Sequence, residues 1–288
     1  MRGLLVALLL CCVTQAVALT VTDDAGTEVT FNAPPKRIIS LAPNLTELIY
    51  AAGLGHRLVA VSAYSDYPAA AKQLPQVGDA FRIDWERLVA LKPDLVLAWG
   101  SSLSARDRAA FNKLRLNLLV VEPRRLEDVP KVLRLLGRIG NTDLTAEMAA
   151  YTFEKQRNAL RYKYASRPLM RVYFQVAATP LLTINGKHII SDVLRLCGAQ
   201  NVFSDAPLLV PAISEEALVN ARPQVLLAIA TNKEYQDQAY NLWQSLPLDA
   251  VKQGHVGTIH PDLIARSSPR ILQGALQICE QLEALRDY

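Results

Sequence analysis

Residues 84–98 read DWERLVALKPDLVLA, and residues 214–228 read SEEALVNARPQVLLA, a gapless recurrence at an offset of 130. Each copy opens with acidic residues in what the spacing predicts to be a first helical turn, where they oppose the positive end of the helix dipole. Apolar residues at helical intervals follow, then a basic residue and a proline that stop the helix. Each copy closes on an apolar run, the pattern of a strand buried on both faces of a parallel sheet. One helix–proline–strand unit could recur by chance in an α/β protein, but a gapless match of this length points to two related halves.

Working outward, Arg37–Leu41 reads as a strand, followed by a helix that Asn44 or Thr46 could cap and that ends near Gly53. Leu58–Val61 and Leu118–Val121 read as further strands of the first half. Arg171–Phe174 opens the second half as a strand, and Ser191–Leu196 reads as a helix closed by Gly198. Strands alternating with helices predict mainly parallel sheets flanked by helices. Between the halves, Thr142–Ala165 contains neither Gly nor Pro and carries apolar side chains at Met148, Tyr151, Ala159 and Tyr162. It reads as one long helix joining two lobes; an ordinary crossover helix is the alternative. A rigid joining helix implies a largely pre-formed cleft between the lobes.

The N-terminus reads as an export signal: Arg2, an uncharged run from Leu4 to Val13, then small residues in Ala16-Val17-Ala18. The run is too short to span a bilayer, which takes about 20 residues. The expected organisation is a signal peptide at 1–18, an N-terminal lobe at 19–141, a linker helix at 142–166 and a C-terminal lobe at 167–288. Removal of the signal leaves 270 residues, long enough for a large core or two smaller ones. The mature chain is expected to be soluble, since no other segment is apolar and long enough to span a membrane. Net charge is +4, and +3 without Arg2, with Lys and Arg scattered, so no nucleic-acid footprint is present.

Cys11 and Cys12 leave with the signal, so Cys197 and Cys279 remain, 82 residues apart. In an oxidising compartment such a pair reads as one disulfide, with two buried thiols as the alternative. Nothing here suggests catalysis: the chain has no G-x-S-x-G, P-loop, G-x-G-x-x-G or H-E-x-x-H. Its histidines, His56, His188, His255 and His260, lack metal-ligand spacing. His260, before Pro261, reads first as a surface residue and second as a ligand to a metal carried by a bound molecule.

AYSDYP (63–68), WERLVALKPDLVLAW (85–99), VLRLCGAQNVF (193–203) and RSSPRI (266–271) closely resemble the periplasmic cobalamin-binding proteins of the BtuF type. These belong to the helical-backbone (class III) solute-binding proteins of ABC importers. The resemblance runs from about Arg37 to the C-terminal helix. It implies an exported, periplasmic, monomeric protein that is not an enzyme and has no intrinsic cofactor. It also implies a corrinoid ligand, cobalamin or a close analogue, and as partner an ABC permease dimer with its cytoplasmic ATPase. Haem or a ferric siderophore is the alternative cargo; an enzyme or sensor acting on a metal tetrapyrrole is the alternative of another class.

On this chain the resemblance makes Tyr64 and Trp99 pocket aromatics, with Phe81 slightly displaced from a third. It makes Asp262, Leu263, Ile264, Ala265 and Arg266 the loop that closes over ligand, and Cys197–Cys279 the family disulfide. Glu86 and Glu216, at equivalent positions of the two copies, become the contacts to the two permease subunits. Read without the resemblance, they only favour their helix dipoles. The chain departs from the cobalamin pattern at its closing loop, which lacks bulky aromatics, and at Pro207–Pro211 (PLLVP), where Leu and Val replace an expected Trp. Leu and Val still suit a flat, partly apolar face, because apolar burial stabilises by about 25 cal/mol per Å².

Overall fold

The computed structural model describes residues 18–79, 82–164 and 166–286. The signal-peptide expectation, apart from Ala18, and the pocket role of Phe81 fall outside them.

A small antiparallel hairpin, β1 (Leu19–Thr22) and β2 (Glu28–Phe31), comes first. The first lobe then runs β3 (Ile38–Ser40), α1 (Pro43–Ala51), β4 (Leu58–Val61), α2 (Trp85–Ala90) and β5 (Leu95–Trp99). It continues through α3 (Ala105–Leu114), β6 (Leu118–Val121) and α4 (Asp128–Gly140). After α5 (Asp143–Tyr164), the second lobe opens with β7 (Met170–Gln175), α6 (Ile189–Leu196), β8 (Ala199–Asn201), α7 (Glu215–Ala221) and β9 (Val225–Ile229). It ends with α8 (Lys233–Gln244), α9 (Asp249–Lys252), β10 (Val256–Ile259), α10 (Pro261–Ile264) and α11 (Ile271–Ala284).

The two four-stranded parallel sheets have the same topology: order β4-β3-β5-β6 in one and β8-β7-β9-β10 in the other. The repeated segments place α2–β5 and α7–β9 identically, with β5 and β9 each an inner strand. Both faces of these strands are covered, which explains their unbroken apolar runs. Leu95 and Leu97 point to one side, and Val96 and Ala98 pack with Leu88 and Phe111 on the other. In the second sheet Val225 and Leu227 face the shared core, and Leu226 and Ala228 pack around Trp243.

α5 touches α1 and α4 on one side of the molecule and α6 and α11 on the other. One apolar cluster therefore runs unbroken from Ile38 to Ile278, through Phe153 and Tyr164. The buried face of α5 differs from the expected one. Met148, Tyr151 and Tyr162 are exposed, as is Ala159, whereas Ala146, Ala150 and Phe153 are buried. The two sets share helical spacing and lie on opposite faces. Packing selects the smaller one, because α4 approaches at Gly137, where an added Cβ would come within 2.5 Å of Ala146. Arg134 of α4 fastens the pair by forked hydrogen bonds to Glu147 and Glu154.

Two helix starts also differ. α1 begins at Pro43, after an N-cap at Ala42 that gives no side-chain hydrogen bond. The Thr46 hydroxyl is instead turned inward, donating to Ser40 and Ser65. α6 begins two residues early, at Ile189, capped by His188. The expected pairing of the cysteines is present: Cys197 and Cys279 form a disulfide that ties the end of α6 to α11.

Candidate functional site

Parallel sheets place loops together at the carboxyl ends of their strands, where α/β proteins bind ligands. Here a cleft of about 340 Å³ opens at that edge of the first lobe. It is lined just beyond all four strands: by Leu41 after β3, Tyr64 after β4, Trp99 at the end of β5 and Glu122 after β6. The second lobe closes the opposite side with His188 and Ile189 at the start of α6, Leu209 and Val210, then Ala265 and Ser267. The lining is mainly apolar, with a few polar groups, as in sites that recognise extended, partly greasy molecules.

Tyr64 stands at the mouth, 78% exposed, with its backbone in the left-handed region at φ 63°. A bulky residue adopts this conformation only where its surroundings impose it. Ser65, buried beside it, shares hydrogen bonds with Thr46 and Ser62, and Arg266 donates to the Tyr64 carbonyl at 3.3 Å. Trp99 lies half-buried against the core, with one side to the cleft. The PLLVP segment is held by backbone bonds from Thr183 to Pro211 and from Asn185 to Leu209.

The expected closing loop divides. Ala265 lines the cleft. Ile264 is fully buried, so it belongs to the core and not to a ligand surface, a correction to the expectation. Leu263 packs its backbone against α11, where a Cβ on Gly274 would lie 2.3 Å from the Leu263 carbonyl. Asp262 pairs with Arg266 at 2.6 Å. Arg266 is only 11% exposed and donates to Glu47 at 3.0 Å and Asp66 at 2.7 Å. Its guanidinium is therefore engaged by three carboxylates of the protein itself, those of Glu47, Asp66 and Asp262. His260 caps α10, with Nδ1 accepting from the Asp262 backbone, and is exposed outside the cleft lining.

Around Arg266 lies a network the sequence reading did not single out. Glu47 of α1 accepts from Arg266, Ser268 and Arg270, and the Arg270 guanidinium lies 4.0 Å from the Tyr67 ring centre. Neighbouring acids and hydrogen bonds hold both guanidiniums above their ordinary range. For Arg270 the Glu47 hydrogen bond leads; for Arg266 burial opposes the rise and the bonds to Asp66 and Glu47 outweigh it. Glu47 was discoverable as the lone charge among Leu45, Leu48 and Ile49. Glu122 and His188 were also missed. Glu122 directly follows the apolar run LLVV (118–121), a strand-end position that could have marked it.

Glu86 and Glu216 are both exposed, each one residue inside the first turn of its helix, and neither is among the residues that line the cleft.

A family model described as "Periplasmic binding protein" matches residues 38–263. The Vitamin B12-binding protein of Pectobacterium carotovorum is 38% identical over 255 residues, covering 88% of this chain and 90% of that protein. Its namesake in Vibrio parahaemolyticus is 33% identical over 255 residues, covering 88% and 92%. Among solved structures, the periplasmic vitamin B12 binding protein BtuF of Vibrio cholerae superposes with a TM-score of 0.81 at 33% identity, covering 88% of this chain and 99% of that one. A periplasmic heme binding protein from Pseudomonas aeruginosa superposes at 0.76 with 22% identity, covering 85% and 91%, a likeness of fold alone.

Proposed function

This chain belongs to the periplasmic binding protein family, and on that premise we propose that it binds a corrinoid, cobalamin or a close analogue, in the inter-lobe cleft and presents it to an ABC importer. The observation that carries the reading is the apolar cleft at the carboxyl edge of the first sheet, with Tyr64 and Trp99 on one side and Leu209 and Val210 on the other. A flat macrocycle sandwiched there gains about 25 cal/mol for each Å² of apolar surface withdrawn from water. Relatives that match nearly end to end carry the name Vitamin B12-binding protein, which favours a corrinoid over haem or a siderophore.

In this reading residues 1–18 direct export and are removed, and the mature protein works as a periplasmic monomer. Residues 19–141 and 167–288 act as the lobes and 142–166 as a strut. Because α5 packs on helices of both lobes, the lobes adjust little on binding and ligand enters a cleft already formed. Tyr64, Trp99 and Ala265 touch the ligand, and Asp262, Leu263 and Ile264 support the closing loop. Arg266 holds Tyr64 from behind. Glu86 and Glu216, one per lobe, dock on the two permease subunits, the ATPase lying beyond.

Isothermal titration of the mature protein with cyanocobalamin, haemin and a ferric siderophore tests the reading. Saturable heat with cyanocobalamin is expected. Binding of haemin or siderophore without cyanocobalamin would overturn it.

A further inference from the structure

We propose that Glu122 determines specificity by accepting an N–H from a primary carboxamide on the ligand's rim, so that the cleft favours amides and turns away carboxylates at that position. The inference rests on the corrinoid reading above, and goes beyond it by naming the group that is recognised.

One oxygen of the Glu122 carboxylate is buried without a hydrogen-bond partner. Its backbone N–H donates to Asp24 of the N-terminal hairpin loop at 2.6 Å, which anchors the residue at the end of β6. Its side chain is 10% exposed, and it lines the cleft. A Cβ on Gly100 would fall 2.3 Å from Oε2, so the carboxylate lies directly on the cleft loop that starts at Gly100. Oε1 is buried and accepts no hydrogen bond. The nearest cation, Arg124, is 3.4 Å away and 55% exposed, and it does not donate to Oε1 in hydrogen-bond geometry. A buried acceptor with only this loose ion pair has lost its water without gaining a hydrogen bond, and makes up that loss when a donor arrives.

The chemistry of that donor follows from what the cleft offers opposite. His188, from the second lobe, accepts the Ile190 N–H on Nδ1 at 3.2 Å, which leaves its ring proton on Nε2. Burial pushes its pKa down to about 4, so the ring is neutral near pH 7. The cleft therefore presents one unfilled acceptor and one neutral donor, the complement of a primary amide. The corrin perimeter carries primary amides. A carboxylate would set its lone pairs against those of Glu122 in a site of low dielectric, with the exposed Arg124 as the only cation among the residues named here.

The test compares cyanocobalamin with its rim monocarboxylic acids, each with one amide hydrolysed, by titration calorimetry on the wild-type protein and on Glu122→Gln. At least one monoacid is expected to bind wild type about tenfold more weakly than cyanocobalamin. In Glu122→Gln, which keeps the shape and adds a donor, that ratio should collapse to within about threefold. Equal affinity of wild type for all the monoacids and the parent, or tighter binding of an acid, overturns the proposal. So does a ratio that persists in the Gln variant. If cyanocobalamin itself gives no heat, the corrinoid reading falls and takes this inference with it, whereas binding without discrimination removes this inference alone.

Discussion

Glu47 and Arg270 meet across the lobe boundary as a two-pronged ion pair, with Nε 3.0 Å from Oε2 and Nη2 on Oε1. Glu47 comes from the first lobe, and its partners Arg266, Ser268 and Arg270 come from the second. At 2% side-chain exposure the carboxylate has given up its hydration for these bonds alone. Such a pair adds little against a well-packed apolar replacement, but it is costly to break from one side. Its value here is positional: it sets the lobes at one separation beside Tyr64, whose carbonyl Arg266 also holds.

Glu47→Ala should therefore lower the unfolding free energy by about 3 kcal/mol, because the largely buried Arg270 loses its paired carboxylate while Arg266 keeps Asp66 and Asp262. Glu47→Gln keeps an acceptor and should cost less. Urea denaturation of the three proteins measures the differences directly. A loss below about 1 kcal/mol for the alanine variant would mean that water hydrates the arginines as well as Glu47 does.

Much of this architecture was legible before any coordinates. The 130-residue recurrence gave one helix–strand unit in each sheet, because buried parallel strands and proline-terminated helices carry strong local signals. Tyr64 and Trp99, singled out through the family resemblance, both line the cleft at the carboxyl edge of the first sheet. The limits are equally physical. On α5, Met148–Tyr151 and Ala146–Ala150–Phe153 are both proper helical stripes, and only the close approach of Gly137 decides between them. Arg266 was visible as a charge, but its partners Glu47 and Asp66 lie 219 and 200 residues away, and no local pattern encodes such a pairing.

His188 makes stability depend on pH. Its folded pKa of about 4 lies below the ordinary 6.5, with burial as the cause. The unfolded chain therefore binds more protons between those values, and stability falls as pH drops from about 6.5 to about 4. A tenfold difference in proton affinity between the folded and unfolded chains corresponds to about 1.4 kcal/mol. The ring is partly open to the cleft, so a loss of about 2 kcal/mol is expected rather than the full figure. Wild type and His188→Gln should differ in the slope of unfolding free energy against pH within this window and run parallel above pH 7. Identical slopes would show that the ring charges freely in the folded protein.

The disulfide closes a long loop between α6 and α11, with both cysteines fully buried. In the chain-entropy model a crosslink over 82 residues stabilises by about 4 kcal/mol. The double variant Cys197→Ser, Cys279→Ser should lose about that much or somewhat more, since two hydroxyls are then buried, with the Ala275 carbonyl in reach of the one at 197. Thermal unfolding with and without reductant checks it: reductant should lower the wild-type midpoint and leave the variant's unchanged.

Glu86 and Glu216 distinguish a helix-dipole role from a docking role. Both helices are already capped by other side chains, Asp84 accepting from the Arg87 N–H at 3.0 Å and Ser214 from the Ala217 N–H at 3.1 Å. The glutamates are thus left with a dipole contribution of about 0.3–1 kcal/mol each at exposed positions. Charge reversal at both, Glu86→Arg with Glu216→Arg, should shift the melting temperature only slightly and leave corrinoid affinity unchanged, because neither residue lines the cleft. Uptake through the cognate importer, measured with labelled cobalamin in proteoliposomes, should be abolished if each lobe meets one permease subunit through its glutamate. Each single reversal should leave part of the uptake, since rim charges govern encounter rate and orientation more than bound-state energy. Uptake that survives the double reversal would assign both residues to their helices alone, and the docking surface would have to be sought elsewhere on the two lobes.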